Sequence, residues 1–398
     1  MPRRIPISRL AKIPDKVRLE RYRRAPELGP RILFFSGGSA LRDLSKTLKR
    51  YTFNSQHLIT PFDSGGSSAH LRDVFSMPSI GDLRNRLCAL ADENLAGNHE
   101  IREFFGFRFP VDAEGPGLRQ RLTQIQAGRD ILIEDIPQPI RNLVSGHLGG
   151  FCDNISEDFD LRGASLGNLT LAGAYLLNGR DIDAVCYLYS RLLEVRGFVR
   201  ATVNAHLDIC VELEDGSVRE RQHLFTGKQT TSIDSPISKI YLTSRENPRV
   251  AVEQMIERAV GHAITEADLI CFPMGSFYSS LIANLLPVGV GSSVKRARGP
   301  RVFIPNTGHD PEQIGMSVDR CVAVLLATLQ QDAGQLSMIQ SLVDLVLVDS
   351  QNGHYPNGMD IKKIEEQGVT VLDLDLASAG NGDVLDPAKI ATTLLSLA

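Results

Sequence analysis

The sequence predicts an α/β protein, a Rossmann-like and mostly parallel sheet with helices on both faces, joined by a small antiparallel β subdomain and a helical insertion. Three observations carry this. Short apolar runs such as Ile32 to Phe35, Leu269 to Phe272, Val302 to Ile304 and Leu345 to Val348 end in polar or glycine-bearing loops, and several lead into segments of helical spacing. The hydrophobic period changes to that of strands over 198–245. It weakens over 104–163, where glycine and proline clusters interrupt it.

Bulk properties bound the function. The chain has 398 residues, 42% hydrophobic and 23% charged, with a formal net charge of −4, which asks for neither nucleic acid nor an anionic membrane as partner. No apolar run approaches the ~20 residues of a spanning helix, and no hydrophobic segment follows the N-terminal charges, so a cytoplasmic protein is expected. The six cysteines stand singly in apolar stretches, the pattern of reduced, buried thiols rather than of a zinc site.

In chain order, residues 1–30 form a basic arm, rich in arginine from Arg3 to Arg24, expected as a solvated extension, with a neighbouring subunit or an acidic partner as the alternative. Residues 31–398 are expected to form one domain. Arg31 to Phe35 reads as its first strand, stopped by Ser36-Gly37-Gly38-Ser39-Ala40, and Leu41, Leu44, Leu48 and Tyr51 mark the helix that follows. A second strand, Leu58 to Phe62, gives way to Asp63-Ser64-Gly65-Gly66-Ser67-Ser68 and another helix. Such a loop suits an anion: glycines let backbone N–H groups converge, the serines cap or donate, and the helix N-terminus adds positive dipole. An ordinary serine-capped turn is the plainer alternative. Asp63 beside a phosphate implies a cation, a ribose hydroxyl or a proton to be moved, since a bare carboxylate would repel the phosphate.

The next helix follows Gly81, with Leu83, Leu87, Leu90 and Leu95 on one face and Asp82 and Arg84 in its first turn. Asp82 there either serves the loop or simply answers the helix dipole. The 104–163 segment reads as an insertion of short helices, a lid or an oligomer surface. Helices are expected from Ser165 through Leu176 and from Asp181 to Val195, then a meander of Phe198 to Leu213, Val218 to Leu224 and Ile237 to Leu242. Pro248 is read as starting a helix with Val252, Met255, Ile256, Ala259 and Val260 on one face. The later strands end in Pro273-Met274-Gly275-Ser276, in Pro305-Asn306-Thr307-Gly308-His309 and in Asp349-Ser350, and a last helix starts at Pro387. In an open parallel sheet these ends share one edge, where ligands bind.

Asp63 lies 26 residues beyond Gly37, close to the spacing of a dinucleotide fold, but the first loop lacks the third glycine of that fingerprint. Two adjacent glycine loops suit a diphosphate with a group attached, so an NAD-dependent oxidoreductase is the weaker alternative.

Taken together, Gly37-Gly38-Ser39, Asp63-Ser64-Gly65-Gly66-Ser67-Ser68 with Leu71-Arg72, Gly81-Asp82-Leu83-Arg84-Asn85, Gly167-Asn168-Leu169, Val195-Arg196-Gly197 and Gly275-Ser276-Phe277-Tyr278-Ser279-Ser280 resemble, in order, the CofD-like family. That family includes 2-phospho-L-lactate transferase and gluconeogenesis factors that bind UDP-sugars. The resemblance implies a strand-end pocket for a nucleoside diphosphate ester or nucleotide-sugar, with magnesium, and either transfer of a phospho-linked group to an acceptor alcohol or binding without turnover. It places Asp63 at the metal or the attacked phosphate, Gly37, Gly38, Ser39, Gly65, Gly66, Ser67 and Ser68 in the phosphate cradle, and Asn168, Gly275 and Ser276 on the opposite wall. Ser64, Asp82, Gly167 and Asn306 are counted with this site, Arg84 or Arg72 is expected to hold the leaving nucleotide, and His70 and His309 are the histidines nearest the expected loops. Ser64 stands where the gluconeogenesis factor pattern has a second acid, Ala40 where a glycine is usual, Arg162-Gly163-Ala164 in place of Gly-His-Ser, and Met274 in place of another glycine. A modified pocket follows.

Overall fold

Strands buried on both faces need near-continuous apolar sequence, and that is what the parallel sheet is made of. The computed structural model describes residues 10–93, 97–227, 232–334 and 342–398. Its strands are β1 (Ile32–Ser36), β2 (Gln56–Ile59), β3 (Phe198–Ala201), β4 (Asp208–Leu213), β5 (Val218–Arg219), β6 (Ile237–Thr243), β7 (Leu269–Phe272), β8 (Arg301–Phe303), β9 (Leu345–Val348), β10 (Thr370–Asp373) and the antiparallel pair β11 (Ala377–Ser378) and β12 (Asn381–Leu385). Seven of them form one sheet in the order β10-β9-β8-β7-β1-β2-β3, and every neighbouring pair is parallel. From β1 the chain winds outward first through β2 and β3 and later, on the other side, from β7 to β10. The order therefore reverses between β1 and β7, the place where an open α/β sheet leaves a crevice.

Alternate side chains of β1 feed opposite cores, as a two-residue period requires. Leu33 and Phe35 pack with Leu58, Phe272 and Phe303, and Phe35 stacks on Phe272 at 5.6 Å. Ile32 and Phe34 pack on the other face with Leu44, Leu269 and Leu394. Completely burying such a side chain contributes about 2–3 kcal/mol, so this strand is a strong anchor for the loop at its end.

The helices are α1 (Lys16–Arg24), α2 (Arg42–Leu48), α3 (Gly66–Phe75), α4 (Gly81–Leu90), α5 (Asn98–Gly106), α6 (Gly115–Gln126), α7 (Ile131–Glu134), α8 (Ile140–Cys152), α9 (Leu166–Leu177), α10 (Ile182–Leu192), α11 (Arg258–Thr265), the π-helical turn Phe277–Ile282 running into α12 (Ala283–Leu285), α13 (Val290–Arg296), α14 (Val318–Ala333), α15 (Ile361–Glu366) and α16 (Pro387–Leu397).

Three expectations are corrected. The basic arm is not a solvated extension from Asp15 onward; residues 1–9 lie outside the described residues. Asp15 caps α1, Leu19 is buried, and Arg18 donates to the carbonyls of Ser396 and Ala398 at 3.1 and 3.0 Å, where a cation answers the C-terminal dipole of α16. The 104–163 segment carries the expected short helices, from the end of α5 to α8, and Phe104, Phe105, Phe109, Leu122, Leu148 and Phe151 share one core with residues of α3, α4, α9 and α10. Phe198 to Ala201 leaves the meander and pairs parallel with β2 at the sheet edge, so the antiparallel subdomain is β5-β4-β6 alone. Finally, 248–257 is not helical. Val252 donates to Leu242, Ile256 to Val288, and Val288 to Gln254, strand-like bonds that occupy the groups a helix would need, and the helix starts only at Arg258. Leu95, placed on the face of α4, lies outside the described residues, and α4 ends at Leu90.

Candidate functional site

The loops leaving β1, β2 and β7 and the N-termini of α3 and α4 converge on a cleft of about 260 Å³ at the reversal of strand order. Each wall is fixed by a buried polar group. The first loop is held from behind by Arg86, whose guanidinium donates to the carbonyls of Leu41, Gly37 and Gly38 at 2.9, 3.0 and 3.3 Å and to the Ser45 hydroxyl. Burial pushes this guanidinium down to about 10, still well above neutrality, so it remains a cation under the loop. Asp82 closes on the other side: a Cβ at Gly38 would collide with its carboxylate, and one at Gly37 would lie 2.6 Å from Ser280 Oγ. The paired glycines are thus a matter of clearance between strand end and helix start.

The second loop turns at Asp63, whose carboxylate accepts from Gly65 N–H at 3.2 Å. Gly66 then adopts φ +56° at the first position of α3, a conformation a side chain would strain, and no side chain caps that helix. The Asn168 amide donates to Ser67 Oγ at 3.0 Å and to Ser68 Oγ at 3.4 Å, and Arg108 donates to Ser67 Oγ at 3.3 Å. Both hydroxyls therefore accept from behind and keep their protons for a ligand. Together with the uncapped helix start, they make a cradle for an anion.

The third wall follows β7. Asn306 brackets the Gly275 peptide, accepting from its N–H at 2.6 Å and donating to its carbonyl at 2.5 Å. Glu312, 1% exposed, accepts from the N–H groups of Tyr278 and Ser279 at 3.0 and 2.8 Å and from Ser279 Oγ at 2.5 Å. Asp310 accepts from Phe277 N–H at 3.0 Å. Carboxylates of the protein itself thus fill the start of the π-helical turn, so a ligand's negative charge is directed to α3 instead.

Of the expected residues, Gly37, Gly38, Ser39, Asp63, Gly65, Gly66, Ser67, Ser68, Asp82, Arg84, Asn168, Gly275 and Ser276 line this one cleft. Three stand behind it. Gly167 lies under Arg84 and Phe105, Asn306 positions Gly275, and the Ser64 hydroxyl accepts from His223 N–H at 3.1 Å and lies 2.9 Å from His223 Nδ1. Arg72 is corrected: it is completely buried, pairs with Asp208 at 2.9 Å and donates to Asp63 O at 3.1 Å, so it braces the loop and holds no nucleotide. Arg84 is buried but lines the cleft, bonded to Ser165 Oγ and to Asn85 Oδ1 at 2.7 Å.

His70 and His309 lie outside the cleft, and the histidine that reaches it is His223. Burial first, and then the nearby Arg221 charge, hold its imidazole below the ordinary value, so it is neutral at pH 7. Gln222, Thr226, Asn85, Arg108, Ser279 and Ser280 are further lining residues that sequence reasoning missed. The signal for His223 and Gln222 was weak, because they come from a short 3-10 turn after β5, far along the chain and outside any motif.

Among the described residues no three histidine, cysteine or acidic side chains are grouped closely enough to hold a metal by themselves. A hard cation at Asp63 would have this carboxylate as one ligand only, and the rest of its shell would have to come from a bound ligand or water.

A parallel sheet with helices and a polar, glycine-lined cleft at its switch point defines a doubly wound α/β protein. More narrowly, the chain belongs to the CofD family, whose model, described as 2-phospho-L-lactate transferase CofD, matches residues 32–377. It is similar to the gluconeogenesis factor of Bacillus subtilis, 27% identical over 92% of this chain and 98% of that protein. The gluconeogenesis factor of Listeria monocytogenes is 26% identical over 93% of this chain and 96% of that protein. The crystal structure of a upf0052 family protein from Bacillus halodurans shares the fold with a TM-score of 0.67 at 23% identity, covering 92% of this chain and 99% of that one.

Proposed function

We propose that the protein binds a nucleoside diphosphate ester in the strand-end cleft and transfers its phospho-linked group to an acceptor alcohol. The observation that carries this is the cradle around Ser67 and Ser68, where two hydroxyls held from behind by Asn168 meet an uncapped helix start. In this reading the diphosphate lies over α3, between the Gly37–Gly38 and Gly275 loops. Asp63 would hold magnesium together with the phosphates, and the ion would supply neutralisation of charge developing on the phosphoryl oxygens. The alcohol oxygen attacks phosphorus, the bond to the nucleotide breaks, and a nucleoside monophosphate leaves with the electron pair. Neutral His223 takes the proton of the alcohol. Arg84 and Arg108 answer the negative charge of the departing nucleotide.

A second reading, retention of a nucleotide-sugar without turnover by a regulator, is favoured by the names of the relatives, which are gluconeogenesis factors, and by Ser64 in place of a second acid. Calorimetric titration with guanosine and uridine diphosphates and their esters, with and without magnesium, tests binding, and chromatography of the same mixtures for nucleoside monophosphate tests turnover. Binding with monophosphate release supports transfer, and binding without it supports the regulator. Failure of all these nucleotides to bind sinks both readings.

A further inference from the structure

Beside the nucleotide cleft, and sharing Ser39, Arg84 and Asn85 with it, lies a second cavity of about 500 Å³ between α2, α4 and α5. Four cations line it, Arg42 and Lys46 from α2, Arg84 from α4 and Arg102 from α5, against one carboxylate, that of Glu103 on α5. Some of this charge is already answered, since Arg102 pairs with Glu93 at 3.2 Å. Arg42 and Lys46 are different. One helical turn apart on the same face, they pair with no carboxylate among the described residues. Two like charges at that spacing repel each other. Phe105 adds an apolar side to the same cavity.

We propose that this cavity receives an anionic group, a carboxylate or a phosphate, on the part of the ligand or acceptor that extends beyond the diphosphate. The proposal rests on the nucleotide reading above for the connection between the two cavities, but not for the charge of the second. A group attached to a diphosphate over α3 would leave the first cavity past Ser39 and Arg84, where Arg42 and Lys46 meet it. Neutral sugars gain nothing from these two cations.

The test uses the full chain and the variant carrying Arg42→Gln and Lys46→Gln together, both on the outer part of α2, with melting temperature as the check of folding. UDP-glucose and UDP-glucuronate, which differ by one carboxylate, are titrated against both proteins at low salt. The wild type is expected to bind the glucuronate form on the order of 10-fold more tightly, and the ratio is expected to fall to about one in the variant, the size of two half-exposed ion pairs. Equal affinities in the wild type, or an unchanged ratio in the variant, overturn the proposal. If neither nucleotide binds, the nucleotide reading is what fails, and succinate and inorganic phosphate decide the second cavity. One of them must stabilise the wild type more than the variant, succinate marking a carboxylate site and phosphate a phosphoryl site, and equal effects on both proteins overturn it.

Discussion

Replacing Glu312 with alanine should loosen the third wall of the cleft by an amount the structure allows to be worked out. The carboxylate is 1% exposed and accepts from two backbone N–H groups, of Tyr278 and Ser279, and from one hydroxyl, Ser279 Oγ. The hydroxyl can rotate to another partner, but the two N–H groups at the start of the π-helical turn cannot. Each buried donor left unpaired costs roughly 1–3 kcal/mol, and partial entry of water favours the lower half, giving about 3 kcal/mol together. With an unfolding entropy of ~2.1 cal/mol/K per residue, the 398-residue chain has about 0.8 kcal/mol/K at its midpoint. Glu312→Ala should therefore melt ~4 °C lower. Glu312→Gln keeps one good acceptor and should lose only about 1 °C. Thermal denaturation followed by circular dichroism reads both, and titration of a nucleoside diphosphate should show affinity falling on the order of 10-fold in Glu312→Ala, since Ser279 lines the cleft. An alanine variant melting within 1 °C of the wild type would refute the reasoning that Glu312 holds this wall.

Asp63→Asn keeps an acceptor for the Gly65 N–H, so its fold and melting temperature should hold, while magnesium-dependent binding or turnover falls on the order of 10²-fold; unchanged metal dependence in titration would remove Asp63 from the metal site. For Asp349, burial alone would raise the carboxyl, but the N–H groups of Ala377, Asn352 and Leu376 outweigh it and carry it from an ordinary 3.8 to about 2. Its folded-state value is depressed, so its contribution is present above about pH 4 and is lost as pH falls towards 2; this is on the order of 2 kcal/mol. The melting-temperature difference between the wild type and Asp349→Asn should accordingly shrink across that window and stay constant from pH 5 to 7.

Much of the fold was legible because strand, loop and helix alternate with clear changes of period, and each loop at a strand end carries its own chemistry. Ile32 to Phe35 and Leu269 to Phe272 are apolar without interruption because both faces of the sheet are covered, and their glycine loops mark the two sides of the switch point. The errors arose where tertiary pairing overrode local pattern. Val252, Met255 and Ile256 have helical spacing, yet their backbone is taken up by Leu242 and Val288. Phe198 to Ala201 alternates like an outer strand of a meander, but the free edge of β2 captures it. At the site, residues that line the cleft with backbone or hydroxyl were readable from composition, as with Gly66 and Ser67. Residues acting from behind were not. Nothing in sequence shows that Arg72 turns away to Asp208 while Arg84 stays in the cleft, or that Glu312, 33 residues beyond Ser279, is the cap of the helix it serves. His223 was missed for the same reason, since only the folding of the 3-10 turn after β5 brings it against Ser64.

The central claim, that the cleft between β1, β2 and β7 takes a nucleoside diphosphate rather than a dinucleotide, is tested most directly by ligand-dependent melting of the intact protein. At a hundred times its dissociation constant a ligand adds ~2.7 kcal/mol, which at about 0.8 kcal/mol/K is a rise of ~3 °C for this chain. Guanosine or uridine diphosphate with magnesium should produce that rise, and NAD, NADH and NADP should leave the midpoint unchanged. Stabilisation by NADH alone, with the nucleoside diphosphates inert, would contradict the phosphate cradle assigned to Gly65 through Ser68.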